Sequence, residues 1–238
     1  MAADTNDKKY YDSSATAISQ AELRAHCSVV QKYISRYENR LRTQFQGRQL
    51  KTLELGAGSC MTSLILSKLE AIKHIACLDI SLKKMQEMLP TSAKVVTGCV
   101  PEKLSLMEGR FDLPLPFENS SVDVVVFDGA LHHARSMWFL LEECRRVLAP
   151  GGVLIAQREQ YLGVLTAATK LKNLLNTEEV RAGVSENAFL KSQYEYYLRA
   201  TGFGSVEFIS VAETNLQMIL SLANGWLFSK WVIWARPQ

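Results

Sequence analysis

Four residues in the first third of the chain, Glu54, Gly56, Gly58 and Asp79, have the types and spacing to hold a nucleoside. Gly56 and Gly58 stand in the run Glu54-Leu55-Gly56-Ala57-Gly58-Ser59-Cys60, after a strand-like apolar stretch and before a helix-like one. Two glycines one residue apart let the backbone turn tightly and approach a ligand where any Cβ would collide. The free N–H groups that open the next helix then point at that ligand. Asp79 ends the following strand, twenty-one residues after Gly58. A carboxylate there can accept from both ribose hydroxyls of an adenine nucleoside.

The rest of the loop bears on which adenosine cofactor this is. A dinucleotide fingerprint puts a third glycine at position 61, where this chain has Met61. Glu54 would repel a pyrophosphate and suits a ligand that carries an ammonium group. Both residues favour S-adenosylmethionine over NAD.

A second set of residues could move a proton. His132 and His133 follow an apolar strand at its carboxyl edge, where open α/β sheets bind their ligands. Either could serve as a general base if the substrate is a hydroxyl, with His133 preferred. A histidine that only hydrogen-bonds backbone is the alternative. Arg158 and Glu159 come just past the next strand and are candidate substrate contacts, or else a surface ion pair of little energetic consequence. His26 and His74 lie far from any motif, and Trp226, Trp231 and Trp234 read as packing residues of a C-terminal hairpin.

Positioning these groups requires alternating strands and helices. Apolar residues at helical spacing between Gln20 and Phe45 predict one amphipathic helix that Gly47 stops, after a polar residue 1–18 segment of loop or short helix. Strands are predicted at 51–55, 74–78, 93–97, 122–127 and 153–156. Helices are predicted at 61–69, 82–89 and 138–148, the last closed by Pro150-Gly151-Gly152. Alternation of this kind implies βαβ units and a parallel sheet covered on both faces. Residues 206–211 and 228–235 could pair as antiparallel strands, and 160–190 reads as an insertion over the sheet.

The chain has 238 residues, 47% of them hydrophobic and 21% charged, which suits one globular domain with a core of its own. Its net charge of +3 comes from isolated pairs such as Lys8-Lys9, Lys83-Lys84 and Arg145-Arg146. Without a basic stripe, nucleic acid is not an expected partner. The five cysteines are far apart, fit neither a zinc site nor a disulfide framework, and point to a reducing, cytoplasmic setting. No metal site is read. No stretch approaches the roughly 18 apolar residues of a membrane span.

Four motifs in order, ELGAGSC (54–60), LDIS (78–81), LPFENSSVDVVVFDGALHHA (115–134) and RRVLAPGGVLI (145–155), resemble the class I S-adenosylmethionine-dependent methyltransferases. The resemblance is to the small-molecule, ubiquinone-biosynthesis-like type 11 subgroup. SQYEYYLRATGF (192–203) is similar to the helix such enzymes carry before their sixth strand. The resemblance implies a Rossmann-like fold, with a mainly parallel seven-stranded sheet, an antiparallel C-terminal strand and helices on both faces. It implies one domain over 1–238, with residues 1–46 as a helical cap on the cofactor site and 160–190 covering the acceptor.

It further implies that Glu54, Gly56, Ala57 and Gly58 line the methionine part of S-adenosylmethionine, with Asp128 beside it. Asp79 would hold the ribose and Ile80 pack on the adenine. Asp112, or Glu102 in its place, would accept from the adenine amino group. Tyr11 lies in a segment, Tyr10-Tyr11-Asp12, similar to one that folds over the cofactor in some relatives. Position 60 often carries a third glycine in the family, and here it is Cys60. The loop Asp128-Gly129-Ala130-Leu131 differs from the Asn-Pro-Pro-aromatic loop of base-amino methylation, which leaves a small hydroxyl or amine acceptor. VSENAFLKSQY (184–194) is similar to segments in sugar-modifying relatives and hints at a glycosylated acceptor. The product would be S-adenosylhomocysteine. The alternative is a protein that binds the cofactor without transferring methyl. The oligomeric state, monomer or homodimer, is left open.

Overall fold

A strand that is apolar along its whole length must be buried on both faces, which requires helices on both sides of its sheet. Val122–Asp128 is such a strand, and the rest of the fold is arranged around it. The computed structural model describes residues 2–13, 18–163, 166–211 and 230–238. Helices α1 (Ala2–Ser13), α2 (Gln20–Ile34) and α3 (Glu38–Gln44) precede β1 (Leu50–Leu55), α4 (Met61–Leu66), β2 (Ile72–Asp79), α5 (Leu82–Val96), β3 (Leu104–Glu108) and β4 (Val122–Asp128). A 3-10 turn (Leu131–His133) then leads to α6 (Met137–Val147), β5 (Leu148–Gln157), α7 (Ala167–Leu174), α8 (Glu178–Arg181), α9 (Lys191–Ala200), β6 (Phe203–Ser210) and β7 (Trp231–Pro237).

Among the described residues the strands form one seven-stranded sheet in the order β3-β2-β1-β4-β5-β7-β6. Strands β1 to β5 pair in parallel, while β7 runs antiparallel to both of its neighbours. This is the Rossmann-like architecture the sequence predicts. Successive residues of β4 point to opposite faces. Val124 and Val126 join the layer built from α2, α4 and α5, whereas Val125 and Phe127 join the layer built from α6 and α9. All four are fully buried. The carboxyl ends of β1, β2 and β4 therefore meet along one edge, and the loops that carry the candidate residues leave from that edge.

The structure corrects three element assignments. Residues 93–97 are not the third strand. Ala93 and Val96 continue the buried stripe of Met85 and Leu89 at helical spacing, so α5 runs on to Val96. The third strand is β3, whose residues are only half-buried at the sheet edge and so lack the apolar run that marks a central strand. The single helix expected over 20–45 breaks at residues 35–37, where the Tyr37 hydroxyl donates to Gln157 Oε1 at 3.1 Å. Pro150-Gly151-Gly152 does not close a helix but lies within β5.

Local features set the ends of these elements. Ser19 caps α2 through a reciprocal pair with Glu22. Gly47 takes φ +76° after α3. Residues 160–190 contain α7, α8 and one isolated bridge, Tyr161 to Phe189. Trp231 and Trp234 are buried in β7, while Trp226 and Phe228 lie outside the described residues. Among the described residues no helix is long and apolar enough to cross a membrane.

Leu140 on α6 is fully buried in the layer beneath β4. Leu140→Ala should lower the unfolding free energy by about 2–5 kcal/mol in a urea titration. A loss below about 1 kcal/mol would mean that α6 does not pack as described.

Candidate functional site

The turn after β1 takes its shape from left-handed backbone at Gly56 (φ +74°), Gly58 (φ +48°) and Cys60 (φ +56°). A Cβ at Gly56 would stand 2.5 Å from Ala130 Cβ and 3.0 Å from the Phe111 ring, so glycine lets the β1 turn lie against the β4 turn. A Cβ at Gly58 would meet nothing within 4 Å, which makes its surroundings open space. Asp79 ties this turn to the end of β2. Its Oδ2 accepts from the Gly58 N–H and its Oδ1 from the Ser81 N–H, both at 2.9 Å. Burial pushes the Asp79 carboxyl up, and those two N–H groups act in the opposite direction.

Gly56, Gly58, Asp79 and Ile80 line a cavity of about 810 Å³, its open mouth included. Gly109 to Asp112 form one wall, Gly129, Ala130 and His133 another, and Tyr11 with Asp7 covers it from α1. Of the two acids that compete for the adenine role, Asp112 lines this cavity and Glu102 does not. Arg110 grips Asp112 at 2.8 and 2.6 Å, and this guanidinium holds the Asp112 carboxyl below its usual range. α1 is held mainly by polar contacts: Asp7 with Arg135 at 2.7 Å, Ser81 with Asp12 at 2.5 Å, and Lys8 with Glu108. Tyr11 also sets its ring edge-on to His133, with centroids 6.3 Å apart.

The remaining candidates stand behind the cavity wall. Glu54 is buried, and its Oε2 accepts from the Ser63 N–H at 3.0 Å and from the Ser63 hydroxyl. Burial pushes its carboxyl well up. Ala57 is buried and donates its N–H to the Leu78 carbonyl at 3.2 Å. Asp128 accepts two hydrogen bonds from Arg158, at 2.5 and 2.9 Å, and one from Thr62 at 2.7 Å. Arg158 sits at φ +56°, so it and Glu159 diverge. Arg158 turns to Asp128 and Glu159 turns to His132, instead of pairing with each other as a surface ion pair. Both line a second open cavity with Tyr161, Lys170 and Trp231.

Glu159 has no exposed side-chain surface. It accepts from the backbone N–H groups of Ala130 and Leu131 at 3.2 Å and of His132 at 3.0 Å. Its Oε2 lies 2.6 Å from His132 Nδ1. A carboxylate in that position fixes the proton on Nδ1 and leaves the Nε2 lone pair unprotonated in the neutral ring. Nε2 is 3.5 Å from Glu186 Oε1, too far for an ordinary hydrogen bond. Glu186 Oε2 is instead 3.0 Å from His133 Nδ1, which also lies 2.8 Å from the Ser185 carbonyl. Burial opposes the charged form of His133, but Glu186 and Ser185 outweigh it and hold the ring above its usual range. Burial likewise pushes Glu186 up, and His133 more than offsets it.

His132, His133 and Glu186 offer atoms within 4.8 Å of one another, which are the residue types of a metal site. The Ser185 carbonyl can only accept, so His133 Nδ1 carries a proton. Its Nε2 keeps a lone pair, as does that of His132, so one carboxylate and two imidazoles can exchange protons here. The group reads as a proton-sharing cluster. Glu186 has no sequence spacing that ties it to residue 132. Its only signal is its place in the quoted 184–194 stretch.

Comparisons with known proteins agree with this geometry. Residues 53–156 match the type 11 methyltransferase family, described as "Methyltransferase domain". A highly reducing polyketide synthase of Aspergillus terreus is 26% identical over 186 residues, covering 68% of this chain and 7% of that protein. An uncharacterised chloroplastic methyltransferase of Arabidopsis thaliana is 32% identical over 123 residues, covering 51% of this chain and 34% of the other. The chain thus spans well under two thirds of the length of either curated relative. The solved structure of the CurJ carbon methyltransferase has a TM-score of 0.56 at 22% identity, over 81% of this chain and 49% of that one, a likeness of fold.

Removing the Glu159 carboxylate would leave three backbone N–H groups and an imidazole N–H without an acceptor. Glu159→Ala should lower the unfolding free energy by about 3–5 kcal/mol. A chemical-denaturation midpoint equal to that of the wild type would contradict this reading of the turn.

Proposed function

We infer, from the match of residues 53–156 to the type 11 methyltransferase family model, that the chain binds S-adenosylmethionine and transfers its methyl group to a small-molecule acceptor. The residues present fit that cofactor. The open space at Gly58 is a cradle that any Cβ would begin to fill. Each Asp79 oxygen accepts one backbone N–H and keeps a lone pair for a ribose hydroxyl. Ile80 and Phe111 give the cavity apolar sides for a purine, with Asp112 as acceptor for its amino group. Tyr11 closes over it. Glu54 and Ala57 support the turn from behind, and Asp128 fixes the end of β4 through Arg158. When bound, S-adenosylmethionine supplies a methyl group on a positively charged sulfur, open to displacement by an acceptor lone pair.

The observation that carries the catalytic half of this reading is the His132–Glu159 pair, with His132 two residues beyond the cavity-lining turn at Gly129 and Ala130. His132 Nε2 takes the acceptor's proton, and Glu159 holds the ring in the tautomer that leaves Nε2 free. His132 is therefore a better base than His133, whose Nδ1 is committed to Ser185 and Glu186 and whose ring lines the cofactor cavity. A base so placed serves an acceptor that must lose a proton, such as a hydroxyl, whereas a neutral amine already carries its lone pair. Residues 160–190 and the cavity beside Arg158 and Glu159 receive the acceptor. A second reading, an acidic carbon as acceptor, is favoured by the similarity to a polyketide synthase and to a carbon methyltransferase. Binding without transfer, the alternative open at the outset, would leave this oriented base without a task.

The test supplies S-adenosylmethionine with either 1-naphthol or acetylacetone and follows S-adenosylhomocysteine. His132→Gln should lower kcat by about 10²–10⁴-fold with the affinity for S-adenosylhomocysteine unchanged. Full activity in that variant would remove His132 from the reaction.

A further inference from the structure

His133 lines the nucleoside cavity together with Gly58 and Asp79, yet the proton transfer assigned to His132 leaves it without a role. Its surroundings are specific. From the insertion, the Ser185 carbonyl at 2.8 Å and Glu186 Oε2 at 3.0 Å hold a proton on Nδ1. Proton gain and loss are then confined to Nε2. From the β4 turn, the His132 ring lies with its centroid 4.4 Å away. From α1, Tyr11 stands edge-on. Glu159 acts on His133 from the end of β5, and His133 in turn acts on Asp79 at the end of β2. The side chain is 26% exposed, so its proton can exchange with water at the cavity mouth.

The cofactor and its product differ by one positive charge. The first carries a sulfonium, the second a neutral thioether. We propose that His133, with Glu186 behind it, discriminates the charged cofactor from the neutral product by its own charge state. A protonated ring opposes entry of a second cation into the same partly water-excluded cavity, where like charges repel more strongly than in bulk water. A neutral ring does not. Cofactor loading therefore releases the Nε2 proton to solvent, and the neutral product binds without releasing one. No bond other than this N–H is made or broken. Glu186 is the positioning residue, because its carboxylate keeps the ring charged to higher pH than a free histidine would be.

The sign follows directly. The imidazolium is present at low pH and lost as pH rises through its raised value, so affinity for the cation increases with pH and affinity for the thioether does not follow it. This inference rests on the cofactor proposed above, and its test needs no acceptor. Calorimetric titrations of S-adenosylmethionine and of S-adenosylhomocysteine would be run at about pH 6 and about pH 8.5, on either side of the histidine range. In the wild type, the ratio of the two Kd values should shift toward the charged ligand by about fivefold or more over that interval, since one unit of coupling is tenfold. In His133→Gln that shift should shrink to whatever the ligand's own amine contributes. In Glu186→Gln it should be complete at lower pH. In buffers of differing ionisation enthalpy, proton release should accompany the sulfonium ligand and not the thioether. An equal pH shift in wild type and His133→Gln would overturn the proposal and leave the cofactor reading standing. Failure of both ligands to bind the folded wild type would overturn both.

Discussion

A carboxylate with no exposed surface is tolerated only when donors surround it, and Glu159 is placed where three backbone N–H groups and one imidazole N–H converge. That convergence shapes the β4 turn. It fixes the direction of Ala130, whose Cβ position is why residue 56 must be glycine. It fixes the tautomer of His132 as well. One buried charge thus joins the end of β5, the end of β4 and the glycine turn after β1. It lies at the carboxyl edge of a parallel sheet, where the strands leave a crevice for a ligand.

The second tie across this edge is Asp79, which accepts from Gly58 and Ser81. Together the two carboxylates divide the edge by chemistry. On the Asp79 side the cavity has a hydrogen-bond acceptor, open space at Gly58 and apolar walls, which suit a nucleoside. On the Glu159 side stand two imidazoles and a further carboxylate within 4.8 Å of one another, which suit proton movement. The segment around Ser185 and Glu186 touches both sides, as does α1 through Tyr11 and Asp7. Elements distant in sequence therefore complete a site whose floor is local.

Legibility followed the same division. Gly56, Gly58 and Asp79 could be read because turn geometry and the period of a βα unit fix their spacing within about thirty residues. The sheet could be read because β4 is an apolar run and strand-like pieces alternate with helix-like ones around it. β3 could not, since an edge strand with half-buried residues gives no such run, and the end of α5 mimicked it. Cys60 occupies a left-handed position that explains why relatives prefer glycine there. The pairing of Arg158 with Asp128 and of Glu159 with His132 was hidden because neighbours in sequence diverge at a left-handed residue. Glu186, Arg110 and Asp7 were illegible for a simpler reason: only tertiary packing brings them to the edge.

The central claim is that this edge holds an adenosine cofactor with a methionine tail through Asp79 and the glycine turn. The most direct measurement is calorimetric titration of the purified chain with S-adenosylhomocysteine, with NAD as the comparison ligand and Asp79→Ala as the control. The account predicts saturable binding of S-adenosylhomocysteine, none of NAD, and loss of binding in a variant that remains folded. Binding of NAD in place of S-adenosylhomocysteine, or undiminished binding in Asp79→Ala, would contradict it.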